Sequence, residues 1–216
     1  MAETQESGLA EPMGPWKWIH NPFHRVAGGS ALAVGLVTIV TTAFVGFAGH
    51  THVDGVLDVH PGHGPLWLFL SEGLIDWLAM GILIYLAGLI ASRSHIRPLD
   101  VFGTQAMART PMLLAALFSL LPGHQRFTAQ LIAGLSGSGP PPSASGDAVA
   151  FGVVTLVILV SLVWMVALMY RGFAVACNVS GPRAVVLFIV ALVLAEAASK
   201  MAIVGLIRVG LAGPAA

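Results

Sequence analysis

Residues 50–76 read HTHVDGVLDVHPGHGPLWLFLSEGLID, a polar, histidine-rich loop running directly into an apolar helix. Four of the eight histidines fall here, with Asp54 and Asp58 between them and Glu72 and Asp76 just inside the helix. The apolar character then persists to Ala91, and no lysine or arginine occurs between Arg25 and Arg93. Roughly 20 apolar residues cross a bilayer as a helix. The stretch therefore joins a water-facing loop to a membrane span, and it predicts an all-α, polytopic integral membrane protein.

Composition agrees. Hydrophobic residues make up 56% of the 216 and charged ones 9%, against about 25% charged in soluble domains. So few charges cannot cover a water-facing surface. The formal net charge is zero, which gives no electrostatic footprint for nucleic acid. Cys177 is the single cysteine, so an intrachain disulfide, a CxxC redox centre and a multi-thiolate zinc site are excluded.

Outward from the loop, the pattern predicts a five-helix bundle with spans of about 26–47, 66–91, 108–122, 149–170 and 184–209. The third is short, eleven or so apolar residues before Pro122-Gly123, which would suit a re-entrant segment; its alternative is one helix kinked at Pro122 and continuing to 135. Residues 1–25 form a tail and an interfacial lead-in: 1–15 read as disordered, and WKWIHNPFHRV mixes aromatic with basic residues as the headgroup region favours. The tail lacks a basic segment followed by an apolar run, so the first span reads as an uncleaved insertion signal. Residues 136–148 read as a flexible outer linker, and 26–211 as the transmembrane domain. With the N-terminus cytoplasmic and the C-terminus outside, Lys17, Arg25, Arg93, Arg97, Arg109, Arg171 and Arg183 lie inside, and Arg126 lies in an outer loop. A plasma or inner membrane is the expected location.

Charges within the spans are the first candidates for chemistry. Glu72 and Asp76 are four apart and share a helix face, as do Glu196 and Lys200 on the fifth span. Counting 1.5 Å per residue from the membrane surfaces matches Glu72 with Lys200 and Asp76 with Glu196 in depth. One reading is a buried ion-pair network holding the second span against the fifth. The other is an outward-facing polar cavity in which one carboxyl of the Asp76/Glu196 pair stays protonated, serving as relay, cation site or general base.

His50, His52, Asp54, Asp58, His60 and His63 are ligand types that suit zinc or another divalent transition metal. Their H-x-H and H-x-x-H spacing matches no catalytic zinc pattern. The plainer reading is a set of surface histidines in a polar loop. No nucleotide-binding glycine motif and no nucleophile-elbow serine occurs. Ala195/Ser199 and Ala198/Ala202 form small-xxx-small pairs that suit close helix approach.

These features resemble the Yip-domain (Ypt-interacting protein) membrane proteins. The resemblance rests on Asn21-Pro22-Phe23 leading into the first span, the five-span arrangement, the basic Arg93–Asp100 connector and Ala108-Arg109-Thr110-Pro111-Met112-Leu113. In particular, His52-Val53-Asp54-Gly55-Val56-Leu57-Asp58-Val59-His60 is similar to the loop of bacterial members, with the Asp54–His60 run its most specific part. It covers roughly residues 20–210. The Asp-Leu-Tyr-Gly-Pro tail motif of eukaryotic members is absent, and Gly64-Pro65-Leu66-Trp67 echoes part of it in a loop. For bacterial-type members the resemblance implies a membrane protein with no assigned catalytic activity.

The leading expectation is a non-enzymatic membrane scaffold or interaction protein, with the lipid bilayer and a homo-oligomer or membrane protein as partners. The rival class is a metal-dependent membrane enzyme or a divalent-cation or proton-coupled transporter. There the loop histidines would be ligands, Glu72 and Asp76 base or relay, and Lys200 the charge partner. A water-accessible cavity between the second and fifth spans, under the histidine loop, separates the two.

Overall fold

The computed structural model describes residues 15–140, 142 and 146–211. The predicted disordered tail, up to residue 14, and part of the 136–148 linker lie outside the described residues. A short helix α1 (Pro15–His20) and a 3-10 turn (Pro22–His24) precede α2 (Gly28–Gly49). A small antiparallel hairpin, β1 (Thr51–His52) and β2 (His60–Pro61), leads to α3 (Leu66–Ala91). Then come α4 (Pro98–Met107), α5 (Pro111–Ser119), α6 (Pro122–Leu135), α7 (Gly146–Ala176) and α8 (Gly181–Leu211).

Prolines set the boundaries of the middle helices. Pro98, Pro111 and Pro122 each open a helix, where the missing N–H has no intrahelical partner to lose. Leu121 is held extended before Pro122, as the residue preceding a proline prefers, and α6 leaves the α4–α5 direction at 82°. The third apolar segment begins earlier than the sequence reading has it, and helix continues to Leu135 beyond a sharp bend at Pro122. It starts at Pro98, about ten residues earlier than expected, and the chain beyond Ser119 is a separate, sharply turned helix.

Four helices are long and apolar enough to cross a membrane, α2, α3, α7 and α8, or five if the bent pair Pro98–Ser119 and Pro122–Leu135 is one span. Their apolar side chains point outward as well as inward. Val37, Phe44, Leu156, Leu159, Val163, Val193 and Val204 are all exposed, and only 17% of the most apolar window of α7 is buried. Hydroxyls on α2 are turned back onto the backbone, Thr38 to Val34 O and Thr41 to Val37 O. Such surfaces suit hydrocarbon, where helices satisfy their own backbone groups.

In the interior, α2 lies against α3, α4 and α5, α8 packs on α3, and α7 packs on α4, α5 and α6. The α2–α4 contact is backbone on backbone. A Cβ on Gly35 would collide with the Ala106 main chain, and one on Gly103 with the Gly28 carbonyl. Gly49 at the far end of α2 abuts Ser119, so α4 and α5 follow α2 along its length. The core runs through Met80, Ile84, Met165, Met169, Phe173, Phe188 and Ala191. The methionines sit here as apolar filler, a role their flexible thioethers suit.

Two ends result. Arg183 donates to the Ile90 carbonyl and Asn178 to Ser94, so the 90–98 and 176–183 turns share one end with the start of α2. The β-hairpin and α6 lie at the other.

Candidate functional site

The loop between α2 and α3 is an ordered plug. His50 ends α2 in the left-handed conformation (φ 51°), and Thr51 and His52 then pair with Pro61 and His60. This register sends residues 53–59 back into the bundle, where Val56 is fully buried and joins the core with Met80 and Ala195.

Carboxylates from two helices hold the plug by its backbone. The Gly55 N–H donates to Asp76 Oδ1 at 2.9 Å, and the Leu57 N–H to Glu196 Oε2 at 2.8 Å. Gly55 is needed twice over. Its φ is +95°, and a Cβ would come 2.7 Å from Glu196 Oε1 and 2.9 Å from Lys200 Cε.

Side chains complete the clamp. His52 Nδ1 is hydrogen-bonded to the Glu72 carboxyl, 2.8 and 3.0 Å from its two oxygens, and both residues are buried. The other face of the imidazole stacks on Phe69 with centroids 4.0 Å apart. Lys200 Nζ reaches Asp58 Oδ2 at 2.5 Å and Glu196 Oε1 at 3.3 Å. His60 Nε2 lies 3.0 Å from Asp54 Oδ1, and this partner pushes the His60 pKa up to about 9 against the opposing effect of burial.

One depth-matched pair of the sequence reading is replaced. Glu72 pairs with His52 rather than Lys200. Asp76 also pairs with Arg109 Nη2 at 3.1 Å, a partner the depth count did not include. Depth counting treats helices as rods and omits the loop that folds back between them. Arg109, counted by sequence position as a cytoplasmic loop charge, is 4% exposed in the turn between α4 and α5. It is the residue that sequence reasoning missed. Its signal was a single arginine set between apolar segments two residues before a helix-opening proline.

The six candidate ligands pair off. His52 goes to Glu72, His60 to Asp54, Asp58 to Lys200, and the His50 and His63 rings lie 4.2 Å apart at the surface. Among the described residues, no group of three or more His, Cys, Asp or Glu side chains is arranged to hold a metal ion.

Under the plug, the space between α3 and α8 is filled by the hairpin tip. A small cavity of about 20 Å³ lies on the other side of α3, lined by Thr42, Thr51, Phe69, Glu72 and Arg109 among others. That is room for about one water. Comparison with protein-family models, with curated proteins and with solved structures finds no match to this chain.

Proposed function

We propose that this chain is a non-enzymatic, Yip-like membrane scaffold of the bacterial type in a plasma or inner membrane. It crosses five times, with the N-terminus cytoplasmic and the plug on the outer face. The observation that carries the reading is the clamp. Glu72, Asp76 and Glu196, the acidic groups available for chemistry, are each spent on the plug, and Asp76 also holds Arg109. An ordered, anchored surface feature is what a docking platform requires, whereas a relay or transport site needs carboxylates facing accessible water.

Orientation is supported by charge. Arg25, Arg93, Arg97 and Arg183 lie at the end of the bundle opposite the hairpin, and Arg126 at the hairpin end is neutralised by a two-point contact with Asp147 (2.9 and 2.7 Å). The outward-facing Ala198 and Ala202 of α8 leave an edge where a second membrane helix fits closely.

The test is photocrosslinking in native membranes, with a photoreactive residue at exposed His63 or Val193, beside metal analysis and ion-flux assays on the purified chain in liposomes. A discrete adduct with one protein, the same chain or another, is expected at one of the two positions. Stoichiometric transition metal lost in a His60→Ala/His63→Ala double variant, or flux above that of empty liposomes, would overturn the scaffold reading.

A further inference from the structure

At the plug end of the bundle, α6 crosses the other helices and presents one buried polar edge. His124 and Thr128 are four apart and share a face. They are 6% and 7% exposed, and His124 Nδ1 and Thr128 Oγ1 have no hydrogen-bond partner. Buried polar atoms are nearly always satisfied in native proteins, so two adjacent orphans mark a place where a ligand supplies the partner.

Both side chains line a cavity of about 310 Å³ between the plug and α7. The volume falls in the range of small-ligand sites, roughly 300–1,000 Å³. One wall is polar: Asp58, His60 and Pro61 of the plug, with His124 and Thr128. The opposite wall is Phe151, Ile158, Leu159 and Leu162 of α7. Leu159 is also 55% exposed on the outer surface of α7, so the apolar wall is continuous with the surface that faces lipid. The His124 ring is held by stacking on Phe151, with centroids 5.6 Å apart and planes at 12°.

The remaining polar groups are already engaged. Asp58 is held by Lys200, His60 by Asp54, and the Thr155 and Thr51 hydroxyls by the carbonyls of Phe151 and Gly49. His124 Nδ1 and Thr128 Oγ1 are the buried atoms of this lining left without a partner, and each side chain can either donate or accept. Arg126 is committed to Asp147, while Asp58 itself borders the cavity. The site therefore offers hydrogen bonds to a neutral polar group and no free cation for an acid.

The geometry points to a lipid-binding site in which a neutral glycerolipid lays an acyl chain along Ile158, Leu159 and Leu162 and presents its ester and hydroxyl groups to His124 and Thr128. This does not depend on the scaffold reading, because a lipid bound here is compatible with any activity of the bundle.

The test uses the purified full chain and two photoreactive probes of equal chain length, a diazirine-bearing monoacylglycerol and the corresponding free fatty acid. Saturable labelling by the monoacylglycerol is expected within Phe151–Leu162 and α6, competed by unlabelled monoacylglycerol. His124→Phe, which keeps the stack on Phe151, and Thr128→Val should each weaken binding about fivefold, the worth of one lost hydrogen bond. Leu159→Trp fills the cavity from an exposed position and should abolish the saturable fraction. It decides the matter even where an α6 variant does not fold. Labelling spread evenly over all lipid-facing helices and unchanged in Leu159→Trp would overturn the site. Preferential labelling by the fatty acid would overturn the neutral-lipid assignment.

Discussion

Asp76 and Arg109 meet at 3.1 Å with neither side chain reaching solvent, the carboxylate fully buried and the guanidinium 4% exposed. The pair ties α3 to the α4–α5 turn, while the second carboxylate oxygen takes the Gly55 amide of the plug. One side chain thus joins three parts of the chain.

Removing one partner of a buried ion pair costs roughly 3–5 kcal/mol, because the other charge is left uncompensated. Arg109→Met is therefore expected to lower the melting temperature in detergent sharply. Adding Asp76→Asn, which keeps an oxygen for the Gly55 amide, should recover much of the loss. Additive losses in the double variant would mean that the two charges are not coupled.

Gly55→Ala places a side chain at φ +95° and against the Glu196 carboxylate. Strain of this kind destabilises by more than about 1 kcal/mol. The expected readout is local: faster hydrogen exchange at Val56 and Leu57 with α7 little changed. Unaltered exchange at Leu57 would show that the tip stays docked without this glycine.

His60 supplies a pH dependence with a definite sign. Its pKa is raised from 6.5 to about 9, chiefly by the Asp54 carboxylate 3.0 Å from its Nε2. The folded hairpin prefers protonated His60, so its contribution is fully present below about pH 6.5 and is lost as pH rises through about 9. Stability should fall across that window in the wild type, and the fall should flatten in Asp54→Asn. An NMR titration of the His60 ring checks the same point, and a midpoint near 6.5 would refute it.

Gly35→Val puts two methyls where the Ala106 backbone lies. Overpacking of this sort costs roughly 1–3 kcal/mol, and here α2 and α4 must separate. Lower yield of folded protein and easier unfolding in SDS are expected, whereas Gly29→Ala, with nothing within 4 Å of the added carbon, should be neutral.

The long helices were legible because a hydrocarbon solvent demands long apolar runs, and those near 26–47, 66–91, 149–170 and 184–209 coincide with α2, α3, α7 and α8. The third segment was read short because α4 contains Asp100, Thr104 and Gln105. Inside the bundle the Thr104 hydroxyl donates to the Val101 carbonyl and Gln105 Nε2 to the Met169 carbonyl, 64 positions away. Hydropathy cannot register a polar group whose partner is distant in sequence. The candidate site was legible only as a collection of residues. Glu72, Asp76, Glu196 and Lys200 do gather around the loop, but their partners were invisible, since backbone amides such as those of Gly55 and Leu57 carry no sequence signature.

The bond from Leu57 to Glu196 spans 139 positions, and this orders events at the ribosome. Residue 57 emerges well before its acceptor and waits for the 139 positions that separate them to be made. Until α8 is inserted, the tip lacks one of its two backbone anchors and Asp58 lacks its lysine. Synthesis of α8 and closure of the hairpin are thereby linked, so a product truncated before α8 carries a loosened loop.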